Sequence, residues 1–281
     1  MSVRDVAAAA QLACLLEASA PKPGNVSPGR HFDDLRYEDF LAAAAAVGEP
    51  FVDAAVRPLG VTIRLAIEAT RRWTRSNVNL GIVLLLAPLV RVASQSGTAD
   101  TSSVRAALDQ TTVDDAREVY AAIRLASPGG LGQVGAQDVA GEPDRTLLEV
   151  MRLAADRDGI AREYATGFET TFTIGAPAVS RARRDGLDWD DAVVEAYLTL
   201  LAAAPDTHIA RRGGVVLAAD VSRRAQDVMA AGGVRSAQGR AAIDEFDRVL
   251  CDPHHTANPG TTADLTAASI FVELLSTSCP A

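Results

Sequence analysis

The sequence predicts an all-α fold, and three observations carry that prediction. Apolar residues recur at spacings of three and four along almost the whole chain, the pattern of helices with one buried face. Hydrophobic residues reach 48% while aromatics are only 5%, so alanine supplies much of the apolar content. Alanine is the strongest helix former, and its small side chain lets helices approach closely. Hardly any segment shows the strict alternation and β-branched enrichment of a half-buried strand. The expectation is one domain over residues 1–281, built from about ten to twelve helices.

The elements follow in order. Residues 3–18 carry the first helical pattern, and 37–47 the second, opened by Asp33-Asp34. Residues 51–73 read as one long helix bent at Pro58, because proline removes a donor and clashes with the preceding turn. Residues 79–93 are the most apolar and belong at the centre; 104–108 is short. The pattern over 113–125 opens on Asp114-Asp115, which complement the positive end of a helix dipole. Patterns over 143–155, 160–184, 189–203, 207–230, 237–250 and 261–275 complete the set. The glycine-rich stretch 129–135 lacks the preceding strand of a dinucleotide-binding loop, and reads as a linker or a lid.

Bulk properties narrow the function. A net charge of −9 argues against a nucleic-acid surface, though not against a locally basic pocket. The longest apolar run, 80–90, is too short to span a bilayer and contains Pro88, so no membrane partner is expected. There is no basic segment followed by an apolar stretch and a cleavage site at the start. Cys14, Cys251 and Cys279 have neither metal-type nor disulfide-framework spacing, which fits a reducing, cytoplasmic setting. Alanine-rich faces leave a homo-oligomer open.

Five polar clusters at turns and helix starts are candidates for chemistry. The first holds Lys22, the only lysine in the chain, inside Pro21-Lys22-Pro23-Gly24-Asn25. An ammonium and a guanidinium are not interchangeable at a phosphate, so one retained lysine suggests an anion partner. Gly24 permits close backbone approach. Glu17 precedes this turn, near the negative end of a helix dipole where a carboxylate is disfavoured. His31, Asp33 and Asp34 follow, and carboxylates beside phosphate ligands can hold Mg²⁺; an ordinary helix–loop–helix connection explains them equally. The second cluster, Asn77-Val78-Asn79, either caps a buried helix or offers amides and helix-start N–H groups to a ligand. The glycine-rich stretch is the third. In the fourth, Asp206 suits a helix cap, and His208 and Arg212 fall four apart on one face beside Arg211. In the fifth, Gly260, Thr261 and Asp264 open a helix that could face an anion or a metal, or form a capping box. His254 and His255 read as loop residues.

Taken in order, Pro21-Lys22-Pro23-Gly24, Gly29-Arg30-His31-Phe32-Asp33-Asp34, Asp206-Thr207-His208 with Arg211-Arg212-Gly213-Gly214, and Gly260-Thr261-Thr262-Ala263-Asp264-Leu265 resemble the triphosphoribosyl-dephospho-CoA synthase family over nearly the whole chain. The resemblance implies an all-α, ATP-dependent enzyme. It would transfer the 5-triphosphoribosyl group of ATP to a ribose hydroxyl of 3'-dephospho-CoA, or of a related acceptor, and release adenine. The chain departs from the family pattern at Asn77-Val78-Asn79-Leu80-Gly81, where the family has Asn-Thr-His-Lys-Gly, and at Asn25-Val26-Ser27, where it has Leu-Val-Asp. These changes resemble a stand-alone branch, for which biosynthesis of a one-carbon (pterin- or furan-type) cofactor is a second reading. A metal-dependent nucleotide or ADP-ribosyl hydrolase and a non-catalytic nucleotide-binding subunit are the others. With the resemblance, the expected site has Lys22, Gly24, Asn25, Asn77, Asn79, Arg211, Arg212, Gly260 and Thr261 on nucleotide and phosphates. Glu17, Asp33, Asp34 and Asp264 are expected on Mg²⁺. Asp206 or His208 is expected as general base, with Asp33 also at the catalytic centre.

Overall fold

The computed structural model describes residues 1–127, 137–251 and 255–277. The glycine-rich stretch 129–135, His254 and Cys279 lie outside the described residues. Helices dominate, and among the described residues the sole β-feature is an isolated bridge between Ser27 and Arg30. In order the α-helices are α1 (Val3–Ser19), α2 (Tyr37–Ala46), α3 (Gly48–Val52), α4 (Leu59–Arg71), α5 (Leu80–Ser96), α6 (Thr101–Asp109), α7 (Val113–Ala126), α8 (Leu147–Ala154), α9 (Gly159–Thr166), α10 (Ala176–Arg184), α11 (Trp189–Ala203), α12 (Thr207–Gly213), α13 (Val215–Ala230), α14 (Ala237–Leu250) and α15 (Gly260–Thr277).

Local chemistry sets most boundaries. Ser2, Thr112 and Thr146 each accept from the backbone N–H three residues on, and Asp5, Asp115 and Glu149 reach back in capping boxes. Three patterns that read as continuous are interrupted. Residues 51–73 divide into α3 and α4 because Pro58 stands at the N-cap of α4 in an extended conformation, not inside a bent helix. Residues 160–184 divide because Gly167 and Phe168 both take positive φ, and a π-helical turn, Thr171–Gly175, leads into α10. Buried Glu163 fixes that break by accepting from the N–H groups of Thr170 and Thr171. Residues 207–230 divide at Gly214, whose φ of 89° ends α12 and starts α13.

α5 is the central helix, with every residue from Ile82 to Val90 buried, Pro88 included. α15 packs against α5, α1, α10 and α11, and α4 packs along α7. Close packing of α15 at the π-turn depends on Gly175, where an added Cβ would lie 1.9 Å from Ser269 Oγ. Among the described residues no single helix is long and apolar enough to cross a membrane. The arrangement brings the C-terminal end of α1 and the start of α5 to the same place as the starts of α9, α12 and α15.

Candidate functional site

These ends surround a cavity of about 2160 Å³. Among the described residues seven arginines line it: Arg71, Arg75, Arg124, Arg157, Arg162, Arg211 and Arg212. Glu17, Asp34, Asp158, His208 and Asp264 also reach its wall. Arg71, Arg75, Arg124, Arg157 and Arg162 have no carboxylate partner among the described residues; Arg71, Arg124, Arg157 and Arg162 donate instead to the carbonyls of Arg75, Val139, Leu153 and Ala155.

Lys22 is not at this wall. Its side chain is fully buried, with Nζ 3.0 Å from Glu17 Oε1 and also donating to the carbonyls of Glu17 and Ala20. All three ammonium donors are therefore used. The reason is local: Glu17 sits in the last turn of α1, where a carboxylate opposes the helix dipole, and Lys22 neutralises it while capping the final carbonyls. The expectation that Lys22 grips a phosphate is corrected accordingly. Gly24 is structural as well. It has φ of 74°, its N–H donates to Asp247 Oδ1 at 2.8 Å, and an added Cβ would strike Leu250. The Tyr197 hydroxyl donates to the Pro23 carbonyl at 2.8 Å, which pins the turn from α11. Asn25 does reach the cavity; its Nδ2 donates to Asn258 Oδ1 at 2.7 Å.

Asp206 is the second correction. Its Oδ1 accepts from Ile209 N at 3.0 Å, and its Oδ2 accepts from both Thr262 N and Thr262 Oγ1 at 2.7 Å. One buried carboxylate thus caps α12 and α15 together, and it is withdrawn from the cavity wall. With its oxygens committed to structural donors, it is poorly placed as a base. His208 is different. Its Nδ1 is 3.0 Å from the Asn258 carbonyl, which can only accept, so Nδ1 carries the hydrogen and Nε2 keeps its lone pair. Burial, reinforced by Arg211 and Arg212, holds the imidazole below its ordinary 6.5 despite the Asn258 bond and Asp206. The ring packs against Gly260, where an added Cβ would lie 3.0 Å from Nδ1.

The expected metal ligands do not gather as a set of four. Asp33 and Asp34 are exposed on the segment before α2, and only Asp34 reaches the cavity. Among the described residues no group of three or more His, Cys, Asp or Glu side chains is close enough to enclose a metal ion. Asp264 lies deeper. Its Oδ2 occupies the space beside Gly81, only 2.0 Å from where a Cβ would stand. Burial, then the charges of Glu17, Asp206 and Asp158, push its carboxyl well above the usual carboxylate range, against the pull of Arg211. The Asp264 carboxyl therefore favours its protonated form.

Of the remaining candidates, Asn77 Oδ1 accepts from Leu80 N at 3.2 Å and Asn79 Nδ2 donates to Thr70 Oγ1 at 3.0 Å, both at the wall. The Thr261 hydroxyl meets that of Thr207 at 3.1 Å. Arg211 Nη1 is 3.5 Å from Asp158 Oδ2, and its buried Nε has no partner. The sequence alone does not single out Asp158 or the arginines at 71, 75, 124, 157 and 162. Asp158 was visible as an N-cap before Gly159-Ile160, and Arg71 to Arg75 as a basic run, but neither signal says which cavity a residue faces.

A family model described as ATP:dephospho-CoA triphosphoribosyl transferase matches residues 3–279. A Pseudomonas paraeruginosa protein named as a probable 2-(5''-triphosphoribosyl)-3'-dephosphocoenzyme-A synthase is 37% identical over 118 residues, covering 42% of this chain and 40% of that protein. The synthase of that name from Klebsiella pneumoniae is 30% identical over 115 residues, covering 41% and 40% respectively. Both alignments thus span about two fifths of these relatives' length. The crystal structure of an Archaeoglobus fulgidus protein, described as a candidate triphosphoribosyl-dephospho-coA synthase, superposes with a TM-score of 0.67 at 30% identity, covering 85% of this chain and 98% of that one.

Proposed function

The chain belongs to the ATP:dephospho-CoA triphosphoribosyl transferase family, and we propose that it moves the 5-triphosphoribosyl group of ATP onto a ribose hydroxyl of 3'-dephospho-CoA, releasing adenine. The observation that carries this reading is a single cavity in which arginines, an imidazole with an open Nε2 and a carboxyl of negative surroundings occur together. The acceptor hydroxyl oxygen forms a bond to ribose C1', and the C1'–N9 bond breaks with its electron pair leaving on adenine. His208 Nε2 takes the hydroxyl proton and passes it to the departing base. Positive charge develops on the ribose as in glycoside cleavage, beside the carboxylates of Glu17 and Asp158 at the cavity wall. The triphosphate stays intact and serves as a handle for arginines.

The donor set suits Mg²⁺ in a limited way. Two carboxylates, Asp264 and the Glu17 oxygen that does not face Lys22, would hold a cation completed by triphosphate oxygens, as Mg²⁺ prefers. When bound, Mg²⁺ would neutralise phosphate charge. Incubation with ATP, dephospho-CoA and Mg²⁺, followed by chromatography of the base and nucleotide products, tests the reading. Adenine and a triphosphoribosylated acceptor are expected. ADP or AMP as product would refute it, and adenine release with water as sole acceptor would make the protein a hydrolase.

A further inference from the structure

We infer that the cavity holds two separate polyphosphate subsites, one on each side of Asp264, so that both substrates are bound at once and the ribosyl group passes directly between them. This rests on the transferase reading for the identity of the two ligands, but not for their number.

Six of the seven arginines fall into two groups on different elements, with Arg124 of α7 outside both. Arg71, at the end of α4, and Arg75 stand in the connection that leads through Asn77 and Asn79 into α5. Arg71 Nη1 donates to the Arg75 carbonyl, which fixes the two four residues apart, and neither side chain has a carboxylate partner among the described residues. Arg157 and Arg162 come from the α8–α9 connection and α9, and they line the same cavity as Arg211 and Arg212 of α12. The 3.5 Å contact of Arg211 with Asp158, and the bond from Gly159 N to Thr207 Oγ1 at 2.9 Å, join α9 to α12.

Asp264 stands at the junction of these two halves. Its carboxyl lies against Gly81, in the first turn of α5, on the Arg71–Arg75 side. Its own helix is joined to α12 by Thr207–Thr261 and by Asp206–Thr262 on the other. The cavity volume fits this division. At about 2160 Å³ it is roughly twice the upper end of a typical one-ligand pocket, about 300–1,000 Å³. A triphosphate and a diphosphate are the two anions that the transferase reading would bring, one on each substrate. Simultaneous binding places the acceptor hydroxyl next to C1' in one step, with no ribosyl–enzyme bond.

Titration calorimetry with inorganic tripolyphosphate tests the number of subsites without assuming a substrate. Two equivalents per chain are expected, against one for each of the paired variants Arg71→Gln/Arg75→Gln and Arg211→Gln/Arg212→Gln, with unchanged circular dichroism confirming the fold. One equivalent for the unaltered protein, or loss of the same equivalent in both variants, would overturn the proposal. Formycin triphosphate, whose carbon–carbon glycosidic bond does not cleave, tests simultaneity. Dephospho-CoA should bind the formycin triphosphate complex within about threefold of its affinity for the free protein, and a loss beyond fiftyfold would also overturn it. Two tripolyphosphates bound by a protein that forms no adenine would leave the two subsites standing and sink the transferase reading alone.

Discussion

Replacing Lys22 with methionine removes the charge while roughly keeping the shape of the side chain, and the structure assigns a specific cost to that change. Lys22 and Glu17 are 1% and 4% exposed, and their charged atoms are 3.0 Å apart. Removing one member of a buried pair leaves the other uncompensated, which costs about 3–5 kcal/mol. The carbonyls of Glu17 and Ala20 also lose their donor, a cost that overlaps with the first and does not simply add. For a domain of this size each kcal/mol moves the melting midpoint by about 2–3 °C, so the expected drop is about 6–15 °C. Thermal melting followed by far-ultraviolet circular dichroism measures that drop, and urea denaturation gives the free energy itself. The double variant Lys22→Met/Glu17→Gln should recover more than half of the loss, because it removes the stranded carboxylate as well. Lys22→Arg is expected to destabilise too, by about 1–3 kcal/mol, since a larger guanidinium must enter a filled space. A Lys22→Met protein of unchanged stability that had lost tripolyphosphate or ATP affinity would refute this account and return the lysine to the ligand.

Four further outcomes follow from the site. His208→Gln should lower kcat about 10²–10⁴-fold with little change in the KM for ATP, as steady-state rates of adenine formation would show. Because the imidazole is held below 6.5 and its neutral form is the base, kcat/KM should be flat above pH 7 and fall only on the acid side of 6.5; an acid limb centred above 7 would contradict the geometry. Gly81→Ala should separate stability from activity: alanine favours the helix by about 1 kcal/mol, while its Cβ would displace the Asp264 carboxyl from 2.0 Å, so melting should hold or rise as turnover falls at least tenfold. Asp206→Ala should unfold about 1–3 kcal/mol more easily because it strands the Ile209 and Thr262 donors, and full stability with abolished turnover would restore Asp206 as the base.

The helical pattern was largely readable because it depends on local chemistry. Residues 189–203 and 237–250 fold as helices over the ranges that periodicity predicts, each with an N-cap side chain, Asp188 or Ser236, in front. Breaks were less readable, because a positive φ at Phe168 or Gly214 interrupts a helix without interrupting its apolar spacing. The candidate site shows the same division. Cluster membership at helix starts was legible for His208, Arg211 and Asp264, whose neighbours are short in sequence. The direction of each side chain was not. Lys22 turns inward because Glu17 sits five residues before it in the last turn of α1, and Asp206 is consumed by Thr262, 56 residues away in sequence. The second pairing comes from tertiary contact, on which a single sequence is silent; the first is local, but the sequence does not say whether the ammonium turns back to the helix end or out to a ligand.

The double cap made by Asp206 has a consequence for how the protein is made. Glu17 comes from the first helix, whereas the residues that complete the cavity, Gly260, Thr261 and Asp264, belong to the last one. The N-terminal part leaves the ribosome with the apolar faces of α1 and α5 uncovered, and those faces wait for a partner synthesised more than 160 residues after α5. Contacts so distant in sequence are slow to form. Newly made chains should therefore depend on protection from aggregation until α15 docks, and the cavity would be completed abruptly, at the moment Thr262 reaches Asp206.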